Sequence, residues 1–600
     1  MLRLALSCGC AGLWLARAVV AQQPDTAADT VRYRLPGVRV EVTRLAVGGI
    51  PLARVPFGAQ RVEGAAARAA PRTAADPLLR LPGISVADHM GSPYQPQLTV
   101  RGFAVSPVVG LPQGVSVFVD GVRVNEPDAS QVNFDLIPLD AIERIEVLRG
   151  PSGIFGKNAL GGAVNVVLRR GGPRAGRAEA AAGSFGFARA RAGLGGTIGP
   201  ADYHLSGHFL RDGGWRDRAH ARIAHLYAKL GWRGARTDAW VSYQLAADSI
   251  LQAGSLPRSW LEHPESIPAR FGGGRRDPRT INFTTGDFFG PRLHFLTGRI
   301  ERRLAGGLLL EGTAFFRRND VRQFNANFNE PDTRIETGMG SAGATVQLAR
   351  SGGGLEAAAG LEYAFHDVAI RIYDRPNENF PDLPPAGALR EDVGTREHDA
   401  ALFAEARLAA TPRLALTATL RYDHVSLPFR DRLEPENDGD NVFRQLTGAA
   451  GVDYVAGRGT VLFMSYGRGF RAPVLMELAC ADPEDPCPLP FELGADPPLE
   501  PVTADTWQAG VRHFRRGLSF EAVGYWAEVH DDIFHVQPPG TFSGYFQNLE
   551  RTRRQGLELA VTAEPRAGLA LRAGLALARA AFQTAATLAA PYVEEDDDGK

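Results

Sequence analysis

Residues 355–366 read LEAAAGLEYAFH, and every second side chain from Leu355 to Phe365 is apolar. The residues between them are acidic, small or histidine. Because successive side chains of a strand point to opposite faces, this spacing predicts a strand with one apolar face and one polar or small-residue face. The same alternation recurs in TPRLALTATLRYDH (411–424), GLSFEAVGYW (517–526) and GLELAVTA (556–563), and it continues from about residue 173 onward.

The connections between these segments indicate which class of β protein the pattern belongs to, since soluble sandwiches also alternate. Short turns alternate with long polar segments, which we predict at 249–290, 371–396, 425–441 and 472–504. A barrel in lipid must pair every strand edge, which explains why the pattern persists over so much of the chain. The sequence therefore predicts an all-β transmembrane barrel in the outer membrane, with the lipid bilayer as its surroundings.

The N-terminus predicts export. Residues 1–21 combine an early arginine, an apolar run and a small-residue end before a polar stretch, which is typical of a cleaved signal peptide. Cys8 and Cys10 lie inside it. In an exported chain, the two remaining cysteines, Cys480 and Cys487, predict a local disulfide. The net charge of −1 gives no general attraction to nucleic acid, and we expect no such partner.

Residues 46–172 follow a different pattern, in which short apolar strands are separated by turns. Val115, Val117 and Val119 alternate with their neighbours, and Asp120-Gly121 then supplies a hairpin turn. The length is sufficient for one compact domain that mixes helices and short strands.

Residues 148–167 within this domain, LRGPSGIFGKNALGGAVNVV, invite comparison with a phosphate-binding loop. Such a loop requires G-x-x-x-x-G-K-[ST]. Here Gly150 lies one residue too far from Gly156-Lys157, Pro151 removes a backbone amide, and Asn158 replaces the required hydroxyl residue. The spacing argues against a nucleotide site and leaves the glycines to form turns.

Taken in order, the motifs resemble those of the TonB-dependent receptors of the outer membrane. The matching segments are VRVEVTR (38–44), DPLLRLPGISV (76–86), LTVRGF (98–103), VFVDGVRV (117–124), IERIEVLRGPSGIFGKNALGGAVNVV (142–167), YGRGFRAP (466–473), DPPLEPVTADTWQAGV (496–511) and QNLERTRRQGLELA (547–560). Each is weak alone, but together they span most of the chain in the order of that family.

This resemblance implies a 22-stranded β-barrel over residues 173–600, with an α+β plug domain over 46–172 inside it. Residues 22–45 are then a flexible N-terminal segment. The chain ends in DDDGK without a final amphipathic strand, so we expect about 17 or 18 strands and suspect that the C-terminal strands are missing. By resemblance the protein is a monomer and is not an enzyme.

The N-terminal segment contains a candidate for the TonB box, the strand that the inner-membrane TonB complex pulls. Its residues alternate and would add to the edge of a partner's sheet. The alternative is that they are simply the first strand of the plug. The candidate residues are Val38, Arg39, Val40, Glu41, Val42 and Thr43.

Two arginines of the plug motifs, Arg101 in VRGF and Arg149 in LRGP, resemble residues that pair with barrel glutamates and hold the plug. The alternative is that both lie on the surface. The candidate partners are Glu362, Glu405 and Glu558, among which the sequence does not choose. The chain departs from the family at Gln508, where relatives often carry a glutamate.

The resemblance implies an extracellular ligand, which we expect to be a ferric siderophore or similar iron chelate. Cobalamin, a glycan or a peptide is the alternative cargo, and a passive porin or an adhesin is the alternative class of protein. We expect ligand contacts at the outer ends of plug and barrel loops, where arginines and aromatic rings suit anionic chelates. The candidates are Tyr94, Gln95, Gln113, Asn125, Glu126, Asp128, Gln131, Trp215, Arg216, Arg322 and Phe324.

No segment predicts a cofactor, a protein-bound metal or a catalytic set. His530, Asp531, Asp532 and His535 are close in sequence, but neighbours on a strand point to opposite faces. The acidic residues of the C-terminus lack the ligand spacing of a calcium loop.

Overall fold

The computed structural model describes two domains, built almost entirely from strands. It describes residues 39–40, 50–69, 72–108, 113–151, 153–254, 256–267, 277–281, 286–327, 330–384, 387–457, 459–481, 499–515, 517–536, 544–566 and 568–585. No helix in these ranges is long and apolar enough to cross a membrane.

The N-terminal domain, called the plug below, contains ten short strands. They are β1 (Arg39–Val40), β2 (Ile50–Pro51), β3 (Ala59–Glu63), β4 (Ile84–Ala87), β5 (Gln97–Val100), β6 (Phe103–Val105), β7 (Val115–Val119), β8 (Val122–Arg123), β9 (Ile142–Arg149) and β10 (Gly162–Leu168). Its main sheet has the order β3-β9-β10-β7-β8, with β7 and β10 parallel, and a smaller sheet has the order β4-β5-β6.

The second domain is one sheet of 17 described strands, called the barrel sheet below, in which each strand pairs with the next along the chain. The strands are β11 (Ala175–Ala182), β12 (Ala188–Ile198), β13 (Ala201–Asp212), β14 (Ala221–Arg233), β15 (Thr237–Leu251), β16 (Phe288–Arg303), β17 (Leu308–Asn325), β18 (Asp332–Gly352), β19 (Leu355–Arg375), β20 (Ala388–Ala409), β21 (Leu414–Asp431), β22 (Gly439–Gly457), β23 (Thr460–Arg471), β24 (Val502–Arg515), β25 (Leu518–Val536), β26 (Tyr545–Arg566) and β27 (Leu569–Phe582). The total of 22 strands stays a prediction.

Helical structure is limited to short segments in the described part of the chain. The α-helices are α1 (Gly64–Arg68), α2 (Arg258–Glu262) and α3 (Leu475–Leu478). The 3-10 segments are Leu52–Arg54, Asp76–Arg80, Phe134–Leu136, Leu139–Ala141, Gly153–Phe155, Ser184–Gly186, Pro264–Ser266, Pro278–Thr280, Ala305–Gly307 and Pro435–Asn437.

The two ends of the barrel sheet differ in their connections. One end carries turns of two to four residues, such as 199–200 and 353–354, whereas the other carries longer connections, such as 252–287 and 472–501. Outer-membrane barrels place their short turns in the periplasm and their long loops outside the cell. The end with long connections is therefore the extracellular end.

Two predicted loops are mostly strand. β19 and β20 extend through most of 371–396, leaving a connection at 376–387, and β21 and β22 do the same for 425–441. These strand ends are rich in charged and polar residues, so the apolar-polar alternation that marks a half-buried strand is lost there. The pairing of neighbouring backbones maintains the strands without that pattern.

The barrel sheet distributes apolar and charged side chains between its two faces in the opposite way to a soluble protein. Large apolar side chains point outward and are exposed, including Leu361, Leu402 and Leu446 at 55–60%. Charged side chains such as Glu558 and Arg512 point inward and are buried against the plug. This is the arrangement of a barrel whose outer wall meets lipid and whose lumen is occupied.

The central plug strands β7, β9 and β10 are buried on both faces. In β7, predicted from alternation as a strand with a polar side, Ser116 and Phe118 are as inaccessible as the valines between them. The reason is that the plug sheet has its own core on one side and the barrel wall on the other, so both faces are covered.

Candidate functional site

Glu558 on β26 is the point at which both predicted anchoring arginines meet the barrel. Arg101 donates to it through Nε at 3.0 Å and Nη2 at 2.7 Å, and Arg149 donates through Nη1 at 3.2 Å. The other two candidate partners contact neither arginine: Glu362 pairs with Arg421, and Glu405 lies on β20. The structure thus selects Glu558 from the three glutamates that the sequence left open.

Local backbone geometry explains how Arg101 reaches this position. Arg101 and Gly102 form the two-residue turn between β5 and β6, and both have positive φ, at 52° and 81°. A tight hairpin turn with two such residues matches the twist of its strands. The turn projects the guanidinium from the plug, where it lies 4.3 Å above the Tyr525 ring.

Gln508, the residue that departs from the family pattern, completes this contact. Its Oε1 accepts from the backbone N–H of Gly58 at 3.1 Å and from Arg101 Nη1 at 3.3 Å. Its Nε2 donates to the backbone carbonyl of Arg149 at 3.2 Å. A glutamate could not make that last bond, because a carboxylate has no donor. The neutral amide serves both as acceptor and as donor.

This contact, called the Glu558 anchor below, is almost fully removed from solvent. The side chains of Arg101, Arg149 and Glu558 are 0–3% exposed. Burial lowers the pKa of Arg149, and the nearby Glu558 carboxylate opposes that shift. Removing one partner from such a group leaves a buried charge without compensation, which is strongly destabilising.

A barrel arginine that was not predicted, Arg512 on β24, binds the start of the plug. It donates to the backbone carbonyls of Leu52, Val55 and Phe57, is fully buried and forms an ion pair with Glu521 at 2.6 Å. Backbone carbonyls carry no sequence signature, so only the fold identifies this contact.

The TonB-box candidate is described only at Arg39 and Val40, and its other residues lie outside the described residues. These two residues form β1, which pairs antiparallel with Ile50–Pro51 of β2. The segment that a partner's sheet would extend is thus paired with the first residues of the plug in this conformation.

A lumen cavity of about 80 Å3 lies between the plug and strands β17 to β21 on the barrel wall. Its lining is dominated by charged groups. They are Arg123, Glu126 and Lys157 from the plug, and Glu362, His366, Glu397, Asp399, Arg421 and Asp423 from the barrel.

Lys157, in the glycine-rich stretch 148–167, bridges this cavity. Its Nζ lies 2.6 Å from Asp399 Oδ2 and also contacts Glu397. Burial alone lowers the pKa of Lys157, but these two carboxylates outweigh that effect and the net shift is upward. Lys229, the other lysine of the described chain, forms the reverse contact, from β14 to Asp120 of the plug at 2.8 Å. In this arginine-rich sequence, the rarity of lysine could therefore have pointed to residues that join the plug to the barrel.

Four predicted ligand residues lie in one plug loop whose side chains are already hydrogen-bonded. Asn125 bonds to the backbone of its own loop and of β7, while Glu126 accepts from Arg317 and Asn319 of β17. Asp128 and Gln131 bond to each other at 3.2 Å. All four are at most 9% exposed, and only Asn125 and Glu126 line the lumen cavity.

A segment of the connection between β23 and β24 covers this plug loop. The backbone N–H of Met476 in α3 donates to the carbonyl of Asp128 at 3.2 Å. The α3 helix is held by a buried ion pair between Arg471 and Glu477 at 2.7 Å. The polar residues expected at the ligand site are therefore closed off in this conformation.

The remaining plug candidates have structural partners. Tyr94 donates to Asp212 at 2.7 Å, Gln95 accepts from Gln252, and Gln113 accepts from the backbone N–H of Ser106 at 2.8 Å. These contacts join the plug to β13 and to the β15–β16 connection, or stay within the plug. None of the three lines the lumen cavity.

Among the barrel candidates, Trp215 is 48% exposed in a connection at the extracellular end. Arg216 beside it is buried and donates to the carbonyls of Ala253, Gly254 and Ile281. The guanidinium that was predicted to bind ligand instead holds two extracellular connections together.

Arg322 and Phe324 do not face the lumen, and their role as ligand residues stays a prediction. On β17 the inward positions are those of Arg317 and Asn319, which contact the plug residue Glu126. Side chains two residues apart share a face, so the even-numbered Arg322 and Phe324 lie on the outer wall. The apolar residues Leu308, Leu310 and Phe316 mark the outward face of β17, but this marker is absent beyond Phe316, where both faces carry polar residues.

Cys480 is buried and disulfide-bonded. Its predicted partner, Cys487, lies outside the described residues, so the pairing stays a prediction.

Comparison with known proteins identifies the architecture. Residues 178–600 match the family model described as TonB dependent receptor-like, beta-barrel, and residues 51–163 match the TonB-dependent Receptor Plug Domain. A curated relative, the vitamin B12 transporter BtuB of Vibrio vulnificus (strain CMCP6), is 39% identical over 93 residues, which are 15% of this chain and 14% of that protein.

Solved structures show the same fold at low sequence identity. The ferric yersiniabactin uptake receptor FyuA from Yersinia pestis is 15% identical, with a TM-score of 0.69 over 88% of this chain and 79% of that chain. The siderophore receptor PiuA from Acinetobacter baumannii is also 15% identical, with a TM-score of 0.70 over 89% and 80%. With a barrel sheet, a plug and both family models in the expected order, this chain belongs to the TonB-dependent receptors of the outer membrane.

Proposed function

We propose that the protein is an active importer that binds a ferric siderophore or similar iron chelate outside the cell and passes it to the periplasm, using energy from the TonB complex. The observation that carries this proposal is that a plug domain fills the lumen and that buried ion pairs attach it to the barrel strands. The Glu558 anchor and the contacts of Lys157 and Lys229 attach the plug to β26, β20 and β14 respectively.

The plug domain against the inner face of the barrel sheet argues against a passive porin or an adhesin. The lumen cavity beneath α3 measures about 80 Å3, far below the roughly 300–1,000 Å3 of ligand pockets, and α3 covers the plug loop on the extracellular side. A larger cavity of about 730 Å3 lies at the periplasmic end, between plug residues 59–63 and strands β24 to β27. Ligand entry therefore requires α3 to move, and passage requires the plug to yield. Displacing the plug breaks its ion pairs with the barrel, which costs free energy. An energy-coupled partner supplies that free energy.

The N-terminal segment offers a route for that work. Strand addition by TonB at residues 38–43 competes with the pairing of Arg39–Val40 to Ile50–Pro51. Force on this segment next reaches residues 52–57, whose carbonyls Arg512 holds. Among the described residues, Arg512 is thus the first barrel residue whose hydrogen bonds a pull must strain or break.

The cargo assignment rests on the chemistry of the lumen cavity. Arg123, Arg421 and Lys157 are cationic groups that carboxylate or catecholate oxygens of a chelate would engage. The chelate would replace the acidic partners of Arg421 and Lys157 and the backbone carbonyls to which Arg123 donates. The siderophore receptors of similar fold agree with this class of cargo. Cobalamin is the second candidate, favoured by the local match to the vitamin B12 transporter.

Two experiments test this proposal. The first deletes residues 38–43 and follows uptake by cells that express the protein: loss of uptake with normal surface expression is expected, and unchanged uptake excludes TonB coupling. The second measures binding of purified protein to a panel of ferric siderophores and to cyanocobalamin. Binding of a ferric complex supports the iron assignment, whereas binding of cyanocobalamin alone overturns it.

A further inference from the structure

Asp135 is a plug residue that is buried against the barrel wall. It lies in the 3-10 segment Phe134–Leu136 and is 3% exposed. On the facing strand β15, the Gln244 side chain donates to the backbone carbonyl of Leu136, which fixes this segment against the wall. Within the described residues, neither carboxyl oxygen of Asp135 accepts a hydrogen bond from another residue. Burial without a donor disfavours the ionised form of this carboxyl group.

The carboxyl group of Asp248 faces Asp135 from the barrel side. Asp248 and Gln244 lie on the same strand, β15, an even number of residues apart, so both side chains point toward the plug. Asp248 is also buried, but it has polar partners. Its Oδ1 accepts from the backbone N–H of Ala224 at 3.2 Å, and its Oδ2 lies 3.3 Å from His225 Nε2. These two groups stabilise a carboxylate on Asp248 in preference to Asp135.

Two buried carboxyl groups within hydrogen-bonding reach of each other do not both stay ionised. Burial, followed by the charge of Asp248, raises the pKa of Asp135 well above its ordinary value. Because Asp248 is the better-stabilised carboxylate, the proton lies on Asp135, whose O–H group donates to Asp248. The two residues, called the carboxyl pair below, thus form one contact between an acid and a carboxylate across the boundary of plug and barrel.

The charged groups nearby do not replace this proton. Glu126, on the neighbouring plug loop, also disfavours a second negative charge here, and its own charge is paired with Arg317 of β17 at 2.6 Å. On the barrel side, His225 contacts Asp248, and its ring lies 5.9 Å from that of His208 on β13. A protonated His225 would neutralise the charge of Asp248 alone. The carboxyl pair therefore needs one proton of its own whether His225 is charged or neutral.

We propose that the carboxyl pair is a proton-binding site that makes displacement of the plug depend on pH. With the plug docked, the pair holds one proton between the plug and the barrel. When the plug leaves the wall, Asp135 meets water, its O–H bond breaks, the proton passes to the solvent and a carboxylate remains. Each displacement of the plug thus releases one proton at this site. The inference needs only that the plug can move, so its test is independent of the cargo and of TonB.

Alkaline surroundings favour displacement of the plug, because a proton is released with it. An exposed aspartate has a pKa of about 3.9, below the raised pKa of docked Asp135. The stabilisation of the docked plug by this proton is therefore complete below about pH 4 and is lost as pH rises through the raised pKa. Between the two pKa values, the equilibrium constant for opening should rise about tenfold per pH unit, since one proton is released.

Infrared spectroscopy of the full chain, purified in detergent, tests whether the proton is present. Near pH 7, where ordinary aspartates are ionised, wild type is expected to show the C=O absorption of a buried protonated carboxyl group, and D135N is expected to lose it. D120N is the matched control and should keep it, since Asp120 is also a buried plug aspartate but is paired with Lys229 at 2.8 Å. In D248N the absorption should titrate at a lower pH than in wild type, because the charge of Asp248 is removed.

Amide hydrogen exchange tests the coupling to plug movement. The backbone N–H groups of Val132 and Leu136 donate within the plug beside the carboxyl pair. For these amides, the ratio of opening in wild type to opening in D135N should rise about tenfold per pH unit up to the pKa of the pair. Comparing both proteins at the same pH cancels the pH dependence of the chemical exchange step.

Three results would overturn the proposal. One is an infrared absorption that D135N retains, and another is an exchange ratio that does not change with pH. The third is an absorption that titrates in D248N as it does in wild type, which would mean that burial alone holds the proton. Both substitutions at the pair keep the size of the side chain, and unchanged heat-dependent gel mobility establishes that the variants are folded.

Discussion

Replacing Glu558 by glutamine tests the anchor that joins plug to barrel. The substitution keeps the size of the side chain and removes its charge, so that Arg101 and Arg149 lose the carboxylate they share. Removal of one partner from a buried ion pair costs about 3–5 kcal/mol. Arg101 retains Gln508, and Arg149 retains Gln60 and the Pro82 carbonyl, so the lower end of that range is expected.

A loss of about 3 kcal/mol corresponds to a roughly 150-fold increase in the population of the open plug. Amide hydrogen exchange measures this directly. Exchange should accelerate by about that factor in residues 97–105 and 144–149, which carry the two arginines, and much less in barrel strands. Glu405→Gln is the matched control, because it removes another buried barrel glutamate that touches neither arginine.

The double variant R101Q/E558Q adds a check on the mechanism. It removes a positive charge together with the negative one, so its cost should be smaller than the sum of the two single substitutions. The reasoning fails if E558Q leaves exchange in residues 97–105 within about threefold of wild type, or if E405Q accelerates it equally.

Three further predictions concern single contacts. Gly83→Ala should weaken the Glu558 anchor, because Gly83 has a φ of +77° and an added Cβ would lie 2.3 Å from Glu558 Oε1; faster exchange in residues 97–105 is the measurement. Arg512→Met should free the carbonyls of residues 52–57, so that exchange and proteolysis near residue 57 increase while the barrel strands stay protected. Asp128→Asn should raise the melting temperature at pH 7.5 and change it little near pH 4. Burial, followed by the charge of Glu126, raises the pKa of Asp128 to about 6. The folded protein thus holds a proton that the unfolded chain has lost between about pH 4 and 6, so the free energy of unfolding falls as pH rises through that window, by on the order of 2 kcal/mol, and the amide removes this slope.

Each of these has a contrary outcome. Normal exchange in Gly83→Ala would mean that Glu558 shifts without loss of its arginines. Equal protection of residues 52–57 in Arg512→Met would show that other contacts hold the plug entrance. A melting temperature of Asp128→Asn that follows wild type at both pH values would show that the carboxyl is not neutralised by burial.

Much of the architecture followed from local patterns. Alternation such as that of residues 355–366 assigns one face of a strand to lipid and one to the lumen. The pattern repeats every two residues, so a short segment is enough to recognise it. Turn residues such as Asp120-Gly121 and Gly306-Gly307 adopt the positive φ values that their hairpins need. These features depend on a few neighbouring residues, so the sequence alone expresses them.

Other predictions failed where the pattern no longer matched the environment. The polar strand ends at 371–396 and 425–441 looked like loops, because above the lipid band neither face is required to be apolar. The outward position of Arg322 and Phe324 was also not predicted, because near the end of β17 both faces carry polar residues and the alternation no longer marks the inner face.

By itself, the sequence determined the two-domain organisation, the membrane strands and the two plug arginines, because each of these leaves a pattern within a few residues. Only the tertiary structure decided that Glu558 is their partner, that Gln508 completes the contact and that Arg512 and Lys157 join plug to barrel. Arg101 and Glu558 are 457 residues apart in the chain, and their meeting depends on the register of every strand between them. A slip of one residue on β26 would turn Glu558 toward lipid without altering any local pattern.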